Sequence, residues 1–236
     1  MKVAMLRIGI DTGSGGIHGP LFADGTFEYI PIPDGFGIDQ RTYGNTMGRH
    51  GSHLIDYFPR SRRANMMNQS IHFDPEFETF TYGDPTRPKA GLRHLEPGDM
   101  LVFYCGLEGW DFTSKPALYL MGYLEVSTAG RASNFSLDDL DLFSENFHVR
   151  HPSIYDKQKD DLVLVKGSPN SRLLHKAVLM SSMGQDRSGR PLKVLSPEMQ
   201  KIFGDFDGKN SFQRSPTRWV APAFVNRAVD FMRSLD

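Results

Sequence analysis

The chain is poor in cysteine and has no long hydrophobic run. It has 236 residues and a single cysteine, Cys105, so an internal disulfide and a zinc cluster of cysteines are both excluded. The longest uninterrupted apolar run lies near Leu101–Cys105, far short of the about 20 residues that a membrane-spanning helix needs. The apolar start of the chain is interrupted at Arg7, which argues against a secretory signal. We therefore expect a cytoplasmic globular protein without membrane contact.

A strong net charge is also absent. The formal net charge is -1, unlike that of a non-specific DNA-binding protein. The charges are nevertheless uneven, because residues 40–72 hold five arginines, among them Arg41 and Arg49, and one acidic residue. Arginine has a planar fork that matches phosphate. This zone is therefore a candidate surface for an anionic partner, either a nucleotide or DNA.

Internal repeats and low-complexity tracts are absent as well, which favours a single domain over residues 1–236. Strands are predicted at Val3–Ile10, Phe27–Ile32, Met100–Cys105, Ala117–Ser127 and Leu162–Val165. Helices are predicted at Leu137–Phe143, Ser171–Met180, Ser196–Gly204 and Pro222–Leu235. Because strands lead and helices trail, we expect an α+β fold with a mixed sheet and peripheral helices. The helices would concentrate in the C-terminal third, with residues 162–236 as a helical elaboration.

A glycine-rich turn at residues 11–16 is the first candidate site. Its glycines are Gly13, Gly15 and Gly16. Such glycines either serve a tight turn or turn backbone N–H groups towards a phosphate, which Arg7, Arg41 and Arg49 would also contact. Asp11 and His18 flank the turn and form a candidate acid/base pair. The Asp-Thr-Gly-Ser sequence also matches aspartic proteases, but that chemistry needs two carboxylates and the chain holds one such motif.

The segment 71–84 combines a histidine with several acidic and aromatic residues. Aromatic rings stack on bases, and carboxylates accept hydrogen bonds from exocyclic amines, so Tyr82 and Asp84 are candidate nucleotide-binding residues. His72 and Asp74 are two residues apart on an extended segment and would project to the same side. They are the favoured acid/base pair if the protein is an enzyme. The alternative interpretation is an acidic strand with a half-buried aromatic face.

The same His72 and Asp74 spacing is typical of non-haem Fe(II) oxygenases, whose triad needs a second histidine. His148 and His175 are available for that position, and Arg187 could hold a co-substrate carboxylate. This oxygenase is the weaker alternative, because the surrounding pattern of a β-jelly roll is missing. The favoured hypothesis assigns no metal and no cofactor.

The middle of the chain, over residues 70–130, resembles the small PUA-like pseudobarrels of the EVE type. The resemblance rests on the turn at 97–99, the following strand that ends at Phe103–Tyr104, and Gly122 in a later strand. It implies a pseudobarrel core that holds a flipped, modified base in an aromatic-lined pocket. Tyr82, Tyr104 and Trp110 would then line the pocket, unless these rings fill the core of the barrel instead.

The whole chain resembles a bacterial and phage family, the nucleotide modification associated domain of the third type. The segments that carry this resemblance are Leu6–Gly13 with Gly15 and Gly16, Phe27–Pro33, Asp74–Phe77, Thr81–Asp84, Leu95–Tyr104 and Ser171–Leu174. The resemblance implies a link to systems that alter DNA bases or nucleotides, with other proteins of such systems as further partners. It implies no catalytic residue.

These observations predict a protein that holds a nucleotide or a base in one pocket, formed where the glycine-rich turn meets the 71–84 segment. A non-catalytic reader of modified DNA is an alternative from a different class. The sequence leaves open whether the protein is an enzyme.

Overall fold

The computed structural model describes residues 1–186, 188–212 and 216–235. Its strands are β1 (Val3–Arg7), β2 (Gly19–Leu21), β3 (Ile32–Pro33), β4 (Ile71–His72), β5 (Thr81–Asp84), β6 (Met100–Gly109), β7 (Ala117–Arg131), β8 (Val163–Gly167), β9 (Arg172–Leu179), β10 (Ser181–Gln185), β11 (Pro191–Leu195) and β12 (Arg218–Trp219). Its α-helices are α1 (Arg60–Met66), α2 (Leu137–Asp141), α3 (Phe147–Arg150), α4 (Pro152–Gln158), α5 (Pro197–Phe203) and α6 (Val225–Ser234). Short 3-10 helices cover Leu54–Tyr57, Arg87–His94, Ala132–Asn134 and Pro222–Phe224.

The main sheet is built around β6 and β7, which pair antiparallel with Leu101 opposite Leu124. On the β6 side, β1 runs parallel to β6 and β12 pairs with β1. On the β7 side, β8 and then β5 extend the sheet, while β2 pairs with the end of β6 and β9 pairs with the start of β7. Parallel and antiparallel pairs therefore occur together, and the predicted α+β class with a mixed sheet is confirmed.

The central strands β1 and β6 each carry a long apolar run, and both faces of the sheet are covered there. Ala4, Leu6 and Phe103 lie in one hydrophobic core. Met5 and Val102, which alternate with them along the same strands, lie in a second core. Neighbouring residues of a strand project to opposite faces, so a strand buried on both faces reads as a continuous hydrophobic run.

Two helices near the end of the chain cover the second core. The hydroxyl of Ser196 accepts the backbone N–H of Met199 at 3.3 Å and caps α5, which ends at Gly204 with a φ of 83°. In α6, Val229 and Met232 are buried in the same core. The predicted helices at both places are confirmed, since the capping serine and the terminal glycine match the expected signals.

The irregular segment between β2 and β5 forms a separate cluster. Ile30, Tyr43 and Phe58 are buried together there, and the hydroxyl of Tyr43 donates to the carbonyl of Pro31 at 2.8 Å. This packing fixes a long polar stretch that has little regular secondary structure. The fixed stretch carries Arg41 and Arg49, two of the arginines of the candidate site.

The acidic segment after β7 packs against β5 and β8. Phe143, Leu162 and Leu164 form a small buried cluster. The side chain of Asn146 accepts the backbone N–H of His148 at 3.1 Å, which caps α3. Short helices thus bring His148 to the edge of the sheet at β5.

Two predictions about the last part of the chain are wrong. Ser171–Met180 is not a helix, because Arg172–Leu179 forms β9 and pairs with β7. The range 162–236 is not a helical elaboration either, since it supplies β8 to β12 as well as α5 and α6. Helices α1 to α4 lie earlier, so the described helices are spread along the chain. Pairing with an exposed strand edge overrides the helical preference of a segment this short.

The predicted strand at Phe27–Ile32 is only partly regular. Phe27 forms an isolated bridge with Leu21, and β3 begins at Ile32. Within the described part of the chain, no helix has the length and apolar character needed to cross a membrane.

Candidate functional site

A cavity of about 640 Å³ lies beside the 73–80 segment. Its aromatic lining consists of Tyr29, Phe73, Phe77 and Phe80. Its charged lining consists of Arg41, Arg49, Arg172, Glu28, Glu76 and Glu78. The volume falls within the range of about 300–1,000 Å³ that is usual for small-molecule pockets. Flat rings and charged groups of both signs therefore surround a space large enough for a nucleobase.

The aromatic side of the cavity is held in place by a tight turn. The carboxylate of Glu76 accepts the backbone N–H groups of Glu78 at 2.5 Å and Thr79 at 2.7 Å. Glu76 and Thr81 also exchange two backbone hydrogen bonds, and Phe80 adopts a φ of 54°. Glu76 thus serves the turn, which leaves Glu78 as the exposed carboxylate of the cavity.

Two arginines of the cavity are fixed over aromatic rings. The guanidinium of Arg41 lies 5.0 Å from the ring centre of Phe73 and donates to both carboxylate oxygens of Asp39, at 3.1 and 3.3 Å. The guanidinium of Arg49 lies 5.3 Å from the ring centre of Phe27. Cations at this distance are attracted to the ring face. The two guanidinium groups are therefore fixed in positions from which they can contact an anionic or aromatic ligand.

Asp39 is the buried anchor of this arrangement. Besides Arg41, it accepts a hydrogen bond from Arg150 and lies 3.5 Å from Nε2 of His151. Burial by itself would raise the pKa of Asp39, but the hydrogen bonds and charge of Arg41, with the charge of Arg150, lower it to about 2. The loop that carries Arg41 is thereby tied to α3.

Glu28 links two further parts of the cavity. Its carboxylate is buried and accepts the backbone N–H of His50 at 3.2 Å, while Nδ1 of the same histidine lies 3.3 Å away. The opposite ring nitrogen of His50 lies 3.1 Å from the hydroxyl of Thr26. The loop at 47–50, which carries Arg49, is held against the wall by these contacts.

A second cluster lies on the other side of Phe73. Nε2 of His72 is 4.0 Å from Oδ2 of Asp74, and Nε2 of His148 is 3.8 Å from the same oxygen. Oδ1 of Asp74 accepts the backbone N–H of Gly83 at 2.8 Å. His72 and Asp74 flank Phe73 in an extended segment, and Phe73 alone of the three lines the cavity.

Burial governs the protonation of this cluster. It lowers the pKa of His72 well below its ordinary value and raises the pKa of Asp74 to about 6. Burial also acts to lower the pKa of His148, but the hydrogen bond and charge of Asp74 raise it above its ordinary value. The predicted pairing of His72 with Asp74 is thus present in space. The pair is absent from the lining of the 640 Å³ cavity.

The glycine-rich turn has no free phosphate nest. Oδ1 of Asp11 accepts the N–H groups of Gly13 at 2.7 Å and Ser14 at 2.8 Å. The carbonyl of Asp11 accepts those of Gly15 and Gly16, each at 2.9 Å. The donors expected to bind phosphate are therefore used inside the turn. The predicted convergence of this turn with the 71–84 segment on one pocket is wrong, since the cavity lining contains no residue of the turn.

The residues beside the glycine-rich turn pair with their neighbours. Arg7 and Asp11 form an ion pair at 3.3 Å. Burial acts to raise the pKa of Asp11, but the charge of Arg7 and the hydrogen bonds of the turn hold it below its ordinary value. His18 lies 3.4 Å from Glu108, so Asp11 and His18 face different partners and form no acid/base pair with each other.

The predicted base-stacking residues are distributed over three places. Tyr82 is buried in the first core, and its hydroxyl donates to Asp84 at 3.1 Å. Tyr104 is fully buried in the second core, with Phe212 at a ring distance of 5.4 Å. Trp110 is 47% exposed and contacts Tyr57. The alternative that the tyrosines fill the core is therefore the one that the structure supports.

Some residues of the cavity were not predicted from the sequence, and other residues were candidates only under the oxygenase alternative. Tyr29 and Glu28 carried no local signal, and Arg172 lay in a segment predicted as a helix. His148, a candidate metal ligand in the sequence, is the histidine that lies beside His72 and Asp74. His175 is exposed on β9. Arg187 lies outside the described residues.

The fold and the site define an α+β protein with a ring-lined cavity that bears arginines. The family model described as nucleotide modification associated domain 3 matches residues 2–233, and the chain belongs to this family. The resemblance found in the sequence over the whole chain is thereby confirmed.

No match was found among the curated proteins. Among solved structures, the chain is similar to the N-terminal domain of Thermococcus gammatolerans McrB bound to m5C DNA. The identity is 13% and the TM-score is 0.37, over 99% of this chain and 98% of that chain.

Proposed function

We propose that this protein binds the base of a nucleotide, either free or flipped out of DNA, in the 640 Å³ cavity. The observation that carries the proposal is the combination of four aromatic rings with three arginines in the lining of that cavity. Stacking on an aromatic ring contributes about 1–3 kcal/mol per base and tolerates every base. Membership of a family associated with nucleotide modification supports this class of ligand.

The polar groups of the cavity suit the other parts of a nucleotide. Glu78 offers an exposed carboxylate, which can accept a hydrogen bond from an exocyclic amine. Arg49 is exposed at the same cavity and can reach a phosphate, since the hydrogen bonds of its guanidinium to the carbonyl of Leu174 are long, at 3.3 Å. The base would stack on Phe80, with the phosphate towards Arg49.

The arrangement supports binding rather than catalysis at this cavity. His72 and Asp74, the favoured acid/base pair, lie outside its lining. A general base must come within hydrogen-bond reach of the proton that it removes. Asp11 and His18 are likewise outside the lining, so we propose no reaction for the bound base.

The test is a titration of the full chain with mononucleotides and with duplexes that carry unmodified or methylated bases. Phe80→Ala should weaken binding by about 5- to 150-fold, the range expected for the loss of one stacking ring. Trp110→Ala is the matched control, because this ring is exposed and lies outside the cavity. Equal affinities of the wild type and Phe80→Ala would overturn the proposal, as would binding to none of the probes.

A reader of modified DNA is the second candidate, and the exposed arginines of α1 favour it. Arg60 and Arg62 are both exposed on that helix. Each phosphate contact adds about 0.9 to the slope of log affinity against log salt for duplex DNA. If the protein holds a flipped base within duplex DNA, replacing both arginines with glutamine should lower that slope by about 2. An unchanged slope would favour a free nucleotide as the ligand.

A further inference from the structure

Three side chains with metal-ligating atoms meet beside Phe73. They are His72, Asp74 and His148, and their ligand atoms all lie within 4.8 Å of one another. The side chains are 12%, 8% and 5% exposed, respectively. Two imidazole nitrogens and one carboxylate oxygen form a donor set that suits first-row divalent metals, as in the triad of non-haem iron proteins.

The hydrogen bond on the far side of His148 orients it as a ligand. Nδ1 of His148 lies 2.7 Å from Oε1 of Gln158. An amide oxygen only accepts hydrogen bonds, so Nδ1 carries a proton, and Nε2, which faces Asp74, is the nitrogen that can bind a metal ion in place of its own proton. Metal-binding histidines almost always donate their other N–H to an oxygen in this way.

His72 has a ring nitrogen without a partner. Its Nε2 is buried and makes no hydrogen bond among the described residues, although it faces Asp74 at 4.0 Å. The ring is held by stacking on Phe147 at 3.9 Å between centres. A buried polar atom without a partner is rare and calls for an explanation, which a cation between the three side chains would supply.

The spacing of the three atoms leaves room for one ion. With separations of 3.8 Å, 4.0 Å and at most 4.8 Å, a point equidistant from them lies roughly 2.5 Å or less from each. Bonds from zinc to nitrogen or carboxylate oxygen measure about 2.0–2.2 Å. Small side-chain movements, of a few tenths of an ångström, would complete the coordination.

We propose that His72, Asp74 and His148 bind one first-row divalent transition-metal ion, such as Zn²⁺ or Fe²⁺, and that Gln158 orients His148 as a ligand. The ion ties β4 and the residues after it to α3. The site goes beyond the proposed base-binding function, and neither proposal depends on the other.

The experiment titrates the chelator-treated full chain with Co²⁺, whose visible absorption reports its coordination. We expect one Co²⁺ per chain. His148→Ala should lose this binding, and Gln158→Leu should weaken it by about 10- to 100-fold, as for other residues that orient a ligand. His175→Ala is the matched control, because this histidine is exposed on β9 and should leave the affinity unchanged.

X-ray absorption of the wild-type Co²⁺ complex provides a measurement that does not depend on whether the variants fold. We expect two imidazoles and at least one oxygen around the metal. A first shell made of oxygen alone, or the absence of stoichiometric binding, would overturn the site and leave a plain Asp74–His148 ion pair. A failed metal titration with intact nucleotide binding would refute this inference alone. The reverse result would refute the proposed function.

Discussion

Gly83 lies so close to His148 that no side chain fits between them. A Cβ atom built on Gly83 would lie 2.9 Å from Cδ2 of His148 and 2.9 Å from Oδ1 of Asn146. The backbone N–H of Gly83 also donates to Asp74. One glycine of β5 thus touches both parts of the buried histidine–aspartate cluster, which explains why this strand carries no larger residue at that position.

Gly83→Ala should therefore destabilise the protein. The added methyl group has to displace a capping side chain and a buried ring, and overpacking of this kind costs about 1–3 kcal/mol. The free energy of unfolding, measured in urea, checks this. Gly35→Ala is the control, because a Cβ there meets nothing within 4 Å and should change stability little. Equal stability of the two variants would contradict the packing described for β5.

Asp39 should make stability depend on pH in the acidic range. Its pKa in the folded protein is about 2, below its ordinary value of 3.8. A depressed pKa stabilises the fold above the ordinary value, and this contribution is lost as the pH falls from 4 to 2. The loss amounts to about 2 kcal/mol.

Asp39→Asn isolates that contribution. At pH 7 the variant should be about 3 kcal/mol less stable, because Arg41 and Arg150 lose their buried partner. The difference from the wild type should shrink between pH 4 and 2, as followed by urea unfolding at each pH. Asp160→Asn, at an exposed position, should reproduce the wild-type profile. A constant difference across this range would refute the assignment.

Tyr104 should tolerate the loss of its hydroxyl. The hydroxyl is buried and has no hydrogen-bond partner among the described residues, and burial raises the pKa of this phenol above its ordinary value. Removing an unsatisfied buried group relieves a desolvation cost. Tyr104→Phe should thus unfold with a free energy about 1 kcal/mol higher, with nucleotide binding unchanged. Weaker nucleotide binding in this variant would revive the prediction that Tyr104 stacks on a base.

Sequence-based predictions succeeded where the structure depends on residues close together in the chain. They failed where it depends on contacts between distant segments. The strand predicted at Ala117–Ser127 rests on local residue types, and it is confirmed as part of β7. The helix at Ser171–Met180 was wrong because pairing with β7 decides that segment. Phe73, Phe77 and Phe80 lie in the 71–84 segment, which the sequence predicted as one wall of a nucleotide pocket, and they line the cavity.

The prediction of a phosphate-binding turn was wrong for a reason that cannot be read from the sequence. Glycines at residues 13–16 are compatible with a free anion nest and with a closed turn, and only the position of the Asp11 carboxylate distinguishes the two. Glu28 and Arg172 reach the cavity from segments far apart in the chain. No local pattern could have grouped them with the 73–80 segment.

By itself, the sequence determined the α+β class and the central strands, because periodicity, capping residues and composition act over short distances along the chain. The family followed from the resemblance that its motifs carry. Tertiary structure alone decided which charged groups share a space. It placed Arg41 over Phe73, put His72 and Asp74 outside the cavity lining, and carried His148 to them on α3. Such groupings depend on how distant segments pack, and a side chain is free to turn to either face until that packing is complete.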